Sequence, residues 1–587
     1  MNKGNLLRNG LVFWIVALFF LTSFVQIVDA DIFRRGTMRN VDDIEINCDD
    51  NWTITEVVST ESTSTSTEAS LAIGSDGTVH VAWTDYTNYN GSGGYPDELN
   101  VFYKSKLKGR NWATTELLSI KNRFIACTPS IAVGPDGRVH AVWVEIPYVG
   151  GEYSLIYKSK PIGGKWGERE LITTETNDPG AHSLAVDGDG AVHIVWQDTT
   201  DYGGAGPDMD IFYKQKPAKG NWTATELVST ESTNNSYWPS LAIGPNKSIH
   251  VAWFDDPGYG GFGNDRNILY KSKPYGGSWG STELVSTEST GVSYRPSLAV
   301  GTDGVVHIAW CDGTDYSGSG PDPDIFYKKK LPLGYWTNTE VISTESSNES
   351  HRPSLAVDND QTVHVAWYDR TDYGGAGPDV DIFYKMKKNH GNWTDTEIVS
   401  TETTSDAWYP SLAVDDGGTV HLVWEEYTSY GGSGNDRDIF YKYKPSDTVI
   451  IDNDNSAFNI LSGTWYGQSH TNAYNGTVEV TRSGNGSKKA AWRVHDVVDP
   501  GVYDVYVWKF EHDHMNLMAT NAHYIVRDRN GFSDWITVDQ STPGNEWVPL
   551  GSYEFDGGYY QGVLINDDAN GYVIADAIKL VYAGPLP

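Results

Sequence analysis

Cysteine is scarce in this chain: Cys48, Cys127 and Cys311 are three among 587 residues, at no spacing used by metal sites. An odd, scattered set builds no disulfide framework. Positive charge is scarce too. Lys and Arg number 43 against 77 Asp and Glu, and the net charge of −34 argues against nucleic acid as a partner. Helical patterning is missing after residue 50, where no stretch repeats apolar residues about every 3.6 positions. Long apolar runs are missing as well, except at the start. Lys3 and Arg8 precede the run Leu11 to Val28, and Val28-Asp-Ala30 fits a small-residue cleavage site. Residues 1–30 are therefore expected to be a signal peptide or, if uncleaved, an N-terminal membrane anchor. Residues 31–50 would be a linker. Either way the remainder is extracellular, secreted or anchored at the cell surface, and membrane contact is confined to residues 11–28.

What is present is repetition. His80, His140, His193, His250, His307, His364 and His421 are each followed three residues later by a tryptophan, from Trp83 to Trp424. The His-to-His steps are 60, 53, 57, 57, 57 and 57 residues. Such a period marks small units that bury their faces only against each other. In residues 183–230, Ser183 to Val186, Ala191 to Trp196, Ile211 to Lys214 and Trp222 to Ser229 read as four strands between Gly- and Asp-rich turns. Seven first strands open at Ser70, Ser130, Ser183, Ser240, Ser297, Ser354 and Ser411. The seventh unit lacks its fourth strand, and a matching segment, Asn51 to Ser59, stands before the first unit. The expected fold is all-β: a seven-bladed β-propeller over 51–445, closed by an N-terminal strand. A second tryptophan series, Trp52 to Trp393, is expected to wedge between blades. A histidine present in every blade serves the blade, with its ring nitrogens bonded between strands.

The long loops between second and third strands share a face with the links between blades. That face is the candidate binding face. Its acidic loops place Asp198, Asp201, Asp208 and Asp210 in one unit. Asp312, Asp315, Asp322 and Asp324 repeat the spacing, as do Asp369, Asp372, Asp379 and Asp381. These carboxylates are candidate calcium ligands, since Ca²⁺ takes six to eight oxygens; capping of turn N–H groups is the alternative. No other cofactor is implied. The repeat breaks at pairs placed just before the inner strands: Tyr237-Trp238, Tyr294-Arg295, His351-Arg352 and Trp408-Tyr409, with Arg123 and His182 in other blades. Ringing the channel mouth, such side chains could stack on sugars or fork carboxylates; as plain packing they would plug the channel. No catalytic residue is assigned.

Residues 446–587 carry further alternating segments and read as an antiparallel β-sandwich. Val449-Ile-Ile-Asp-Asn-Asp454, Gly501 to Trp508, Asn521 to Val526, Trp547 to Gly551 and Val573 to Ile578 follow one another as in the golvesin C-terminal/xanthan lyase carbohydrate-binding-like domain, which this tail resembles. The resemblance implies an accessory module for polysaccharide or surface binding, with Trp465, Tyr466 and Trp535 as candidate contacts. The ring, through turns such as Ser75-Asp-Gly-Thr78 ahead of Trp83, resembles the sialidase/BNR-repeat superfamily. That family's arginine triad, tyrosine nucleophile and glutamate have no matching positions here, so its catalysis is not carried over.

The leading expectation is an exported binding protein that recognises a polysaccharide or glycoprotein surface through the loop face and the tail. The alternatives are a polysaccharide-degrading enzyme, either glycoside hydrolase or lyase, and a structural cell-surface component. For a lyase, His351, Arg352 and Arg295 are the first suspects.

Overall fold

The computed structural model describes residues 52–586, apart from loop segments 88–98, 120–123, 148–150, 257–264 and 510–513 and a few shorter gaps. The expected export segment and linker, and Arg123, lie outside the described residues.

Seven four-stranded antiparallel sheets follow one another in chain order. In the fourth, Ser236–Ile243, Ile249–Asp255, Asn267–Lys273 and Glu283–Leu284 run from the channel outwards. The second strand is fully buried because it is covered on both faces by neighbouring blades, which is why it reads as a continuous apolar run rather than an alternation. In the seventh sheet, the strand beside Arg437–Lys444 is the N-terminal Glu56–Val57, with Glu56 opposite Tyr441 and Val57 opposite Phe440. The Thr53 N–H donates to the Tyr443 carbonyl at 3.0 Å and the Val58 N–H to that of Ile439 at 2.7 Å. The ring is a seven-bladed propeller closed by its own N-terminus.

Adjacent blades are joined by repeated devices. The Leu71 N–H donates to Ser411 Oγ at 3.1 Å, joining blade one to blade seven; Leu298 to Ser240 and Leu355 to Ser297 repeat it at 3.0 Å. Trp279 lies edge-on to Tyr213 of the preceding blade, and its Nε1 donates to Glu226 at 2.9 Å, which also takes Lys273. This explains one difference from expectation. The fourth strand was expected over Trp222 to Ser229, but only Glu226–Leu227 pairs as a strand. Trp222 leaves the sheet for the neighbouring blade, where Tyr157 and Glu170 hold it. Short outer strands also leave little edge open to other chains.

The repeated histidines are structural. In every blade Nδ1 meets a tyrosine hydroxyl on the third strand, from His80 with Tyr103 at 2.7 Å to His421 with Tyr441 at 2.8 Å.

After Lys444 the chain builds three sheets. Thr448–Asp452, Ala577–Gly584, Gly501–Lys509 and Glu546–Phe555 form one. Phe458–Ser462, Lys489–Arg493, Gly562–Asn566 and Ala522–Asp528 lead the second, which has six strands. A small three-stranded sheet flanks them. The two larger sheets enclose Trp492, Tyr503, Val505, Tyr524, Phe555 and Ile578. This is the expected antiparallel sandwich, with alternate residues turned inward as in Gly501–Lys509.

Candidate functional site

The irregular pairs do not precede the inner strands; they lie within them, at a bulge. Pairing of first with second strand slips between Tyr237 and Ser240, Tyr294 and Ser297, His351 and Ser354, and Trp408 and Ser411. The middle residue is left-handed: φ is 50° at Trp238, 53° at Arg295, 51° at Arg352 and 54° at Tyr409, with Glu68 and Thr128 alike in the first two blades. A side-chain-bearing residue in this region costs roughly 1–2 kcal/mol, so the same strain is held at six positions around one axis.

The bulge separates the two members of each pair. The second members line a cavity of about 540 Å³ at the channel mouth, together with Glu68, Thr128, His182 and Gln197. The first members turn into the wall behind it. Tyr237 stacks on Phe254 at 5.2 Å; Tyr294 Oη meets His351 Nδ1 at 3.0 Å; Tyr368 bridges His351 and Trp408. His351 Nε2 lies 3.3 Å from Glu349. Glu68, Thr128 and Gln197 were missed from the sequence. The first two share the register of Arg295, a signal available by extending the comparison to the first two blades; Gln197 is found only through its bond from the Trp238 N–H at 2.8 Å.

Within the mouth the cations stack on rings. The Arg352 guanidinium carbon is 3.5 Å from the Tyr409 ring centre and 5.6 Å from that of Trp238; Arg295 is 4.2 Å from the latter. Among the described residues neither guanidinium has an ion-pair partner. Burial, with the like charge of Arg295, brings Arg352 down to about 10. Burial pushes the Glu68 carboxyl up, although the Thr128 N–H at 3.1 Å and the charge of Arg352 pull the other way. His182 is lowered by burial, its Nδ1 3.2 Å from the Gly180 carbonyl. Two unpaired cations in a confined, low-dielectric mouth favour entry of an anion.

The acidic loops engage their own backbone. Asp198 Oδ1 accepts the Thr200 N–H at 2.9 Å. Asp312 accepts Trp310 Nε1, Ser293 Oγ and the Thr314 N–H, and Asp369 repeats this with Trp367, Ser350 and Thr371. Asp210, Asp324 and Asp381 accept Ser229, Ser343 and Ser400. Asp201, Asp315 and Asp372 accept the N–H groups of Gly206, Gly320 and Gly377. Burial, and after it the nearby charges of Asp208, Asp322 and Asp379, push the carboxyls of Asp210, Asp324 and Asp381 up. Among the described residues no three His, Cys, Asp or Glu side chains are placed to hold a metal ion.

In the tail, Trp465 is buried at 7% exposure and is a core residue, whereas Tyr466 and Trp535 are exposed.

Residues 449–582 match the model of the golvesin C-terminal domain. A xanthan lyase of Bacillus sp. (strain GL1) is 32% identical over 146 residues, which cover 23% of this chain; the match spans 15% of that relative's length. Among solved structures, an ulvan lyase described as a new family of polysaccharide lyase has a TM-score of 0.45 at 11% identity, over 64% of this chain and 94% of that one. The endosialidase of phage phi92 has a TM-score of 0.38 at 12% identity, over 67% of this chain and 69% of that one.

Proposed function

We propose that the protein is exported and acts on a polysaccharide, taking an acidic sugar unit at the channel mouth of the propeller. One observation carries the reading: Arg295 and Arg352 line the mouth against Trp238 and Tyr409 with no ion pair among the described residues, and Glu68 is the one carboxylate that shares their cavity. In a chain of net charge −34, an unpaired cation pair is a selective place for an anion. Guanidinium forks match carboxylate or sulfate geometry, and the rings match the apolar faces of sugars. Calorimetric titration with oligogalacturonate tests it. Binding should fall at least about tenfold in the Arg295→Ala/Arg352→Ala variant. Equal affinity for a neutral oligosaccharide would sink the reading.

An enzymatic form of the same reading is favoured by Glu68, a carboxyl raised by burial in the cavity that holds both arginines. Glu68 is the one carboxylate among the described lining residues, whereas hydrolysis by a carboxylate pair needs two. Elimination needs one proton donor. The arginines would neutralise a uronate carboxylate and so acidify the neighbouring C–H. Tyr409 is the candidate base for that proton. The C–H electron pair becomes the new C=C bond, the adjacent C–O bond breaks, and the Glu68 proton goes to the leaving oxygen. Incubation with polyuronates, followed by ultraviolet absorbance of the unsaturated product, decides between binding alone and turnover. Absorbance that rises in wild type and not in Glu68→Gln establishes turnover; a flat trace with tight binding leaves the protein a binder.

A further inference from the structure

Three of the eight Lys and Arg side chains after residue 447 have acidic partners among the described residues. Lys488 pairs with Asp567 at 2.9 Å, Lys509 with Glu546 at 3.0 Å and Arg529 with Glu554 at 3.1 Å. Arg493 and Arg527 are not among them, and both lie against aromatic rings instead. Register places them together. Arg493 and Arg527 both stand opposite Gly562, one on each flanking strand, so the three share one face of the six-stranded sheet. The alternate residues Trp492, Val526 and Val563 fill the core, so this face is the outer one. Gly562 leaves the row flat. Its φ is 147°, and a Cβ there would meet the Trp492 carbonyl oxygen at 2.1 Å.

Exposed rings surround the two cations. Phe532, Tyr559 and Tyr560 are 63%, 56% and 64% exposed. Arg493 lies 5.1 Å from the Tyr559 ring centre; Arg527 lies 5.1 Å from Phe532 and 5.3 Å from Tyr560. The two tyrosines meet edge to face at 5.0 Å. The two arginines are themselves half-buried among these rings.

We propose that this sheet face is a docking surface for an acidic polysaccharide chain, separate in its residues from the channel mouth. The pattern is a flat row of rings interleaved with forked cations. Pyranose faces stack on the rings, and carboxylates or sulfates take the forks. The strongly negative chain as a whole repels a polyanion, so attraction is confined to local cationic sites, this row and the channel mouth.

The full-length protein in affinity gels containing polygalacturonate tests this, with a neutral glucan gel and a poly-glutamate gel beside it. Wild type should be retarded by polygalacturonate only. Arg493→Gln/Arg527→Gln and Tyr559→Ala/Tyr560→Ala should each weaken that retardation about tenfold at an unchanged melting temperature, because the tyrosines are exposed and the arginines stand on the outer sheet face away from the core. The channel variant Arg295→Gln/Arg352→Gln should remain retarded; that result separates failure of the mouth from failure of this face. The proposal is overturned if the tail variants migrate as wild type does. It is also overturned if wild type is not retarded, if the neutral glucan retards it equally, or if poly-glutamate does so, which would mark a peptide-binding face.

Discussion

Trp112 Nε1 donates to Glu56 Oε2 at 2.9 Å, and Lys106 pairs with the same carboxylate. Glu56 belongs to the strand that closes the seventh blade; Trp112 and Lys106 belong to the first. The ring's seam thus uses the device found at its other junctions, but here the outer strand is held to its own sheet only by hydrogen bonds, with no turn joining it to Arg437–Lys444.

Glu56→Ala should therefore cost more than the equivalent change inside the ring. Each removes a charge-assisted network of roughly 1.5–3 kcal/mol. At the seam the loss also frees the closing strand. Urea unfolding should show a lower midpoint for Glu56→Ala than for Glu226→Ala. Equal midpoints would mean that closure is not the weak point.

The left-handed bulge makes a second test. At most strand positions alanine is more stable than glycine. At Arg352, with φ of 51°, the order should invert: Arg352→Gly should exceed Arg352→Ala by about 1 kcal/mol. Both variants should lose acidic-sugar binding. A Gly variant melting below the Ala variant would refute strain at the mouth.

Asp381 supplies a pH test. Burial, with the charges of Asp379, Asp406 and Asp369, pushes its carboxyl up to about 7, and its Oδ2 is buried without a hydrogen-bond partner. A pKa raised on folding gives stability that is full below the unfolded value and is lost as pH rises through about 7. The first and fourth blades carry Asn100 and Asn267 at this register. Asp381→Asn should accordingly raise stability by about 1–2 kcal/mol at pH 8 and change it little near pH 5. The same gain at both pH values would show that the carboxyl is not protonated in the fold.

The buried histidines act in the opposite direction. His80, His140, His250 and His307 are each lowered by burial to about 4. Their contribution is present above the unfolded value and is lost as pH falls from about 6.5 to 4. Tyr270→Phe, which takes the hydroxyl 2.6 Å from His250 Nδ1, should cost about 1–3 kcal/mol at neutral pH. A loss well under 1 kcal/mol would mean the His–Tyr pair is incidental.

Calcium remains open to direct measurement at the acidic loops. Most of the aspartates first read as ligands accept N–H or hydroxyl groups of their own blade. Scanning calorimetry with and without chelator should give one melting temperature. A drop on chelation would assign the loops to an ion instead.

The sequence by itself determined the ring, because each repeat carries its own strand pattern, and the wedge residue Trp222 and the strand-bridging His193 recur at fixed places. A period needs no long-range information to be read. The missing last strand and its copy at Asn51 to Ser59 likewise gave closure. Direction was decided only in three dimensions. Strand alternation alone cannot tell whether Tyr294 or Arg295 meets the channel, since one bulged residue reverses every side chain beyond it. The stacking of Arg352 between Tyr409 and Trp238 joins residues from three blades. The row of Arg493, Gly562 and Arg527 depends on strand register between distant segments. Contacts of that kind are set by how sheets pack and pair, and no local pattern encodes them.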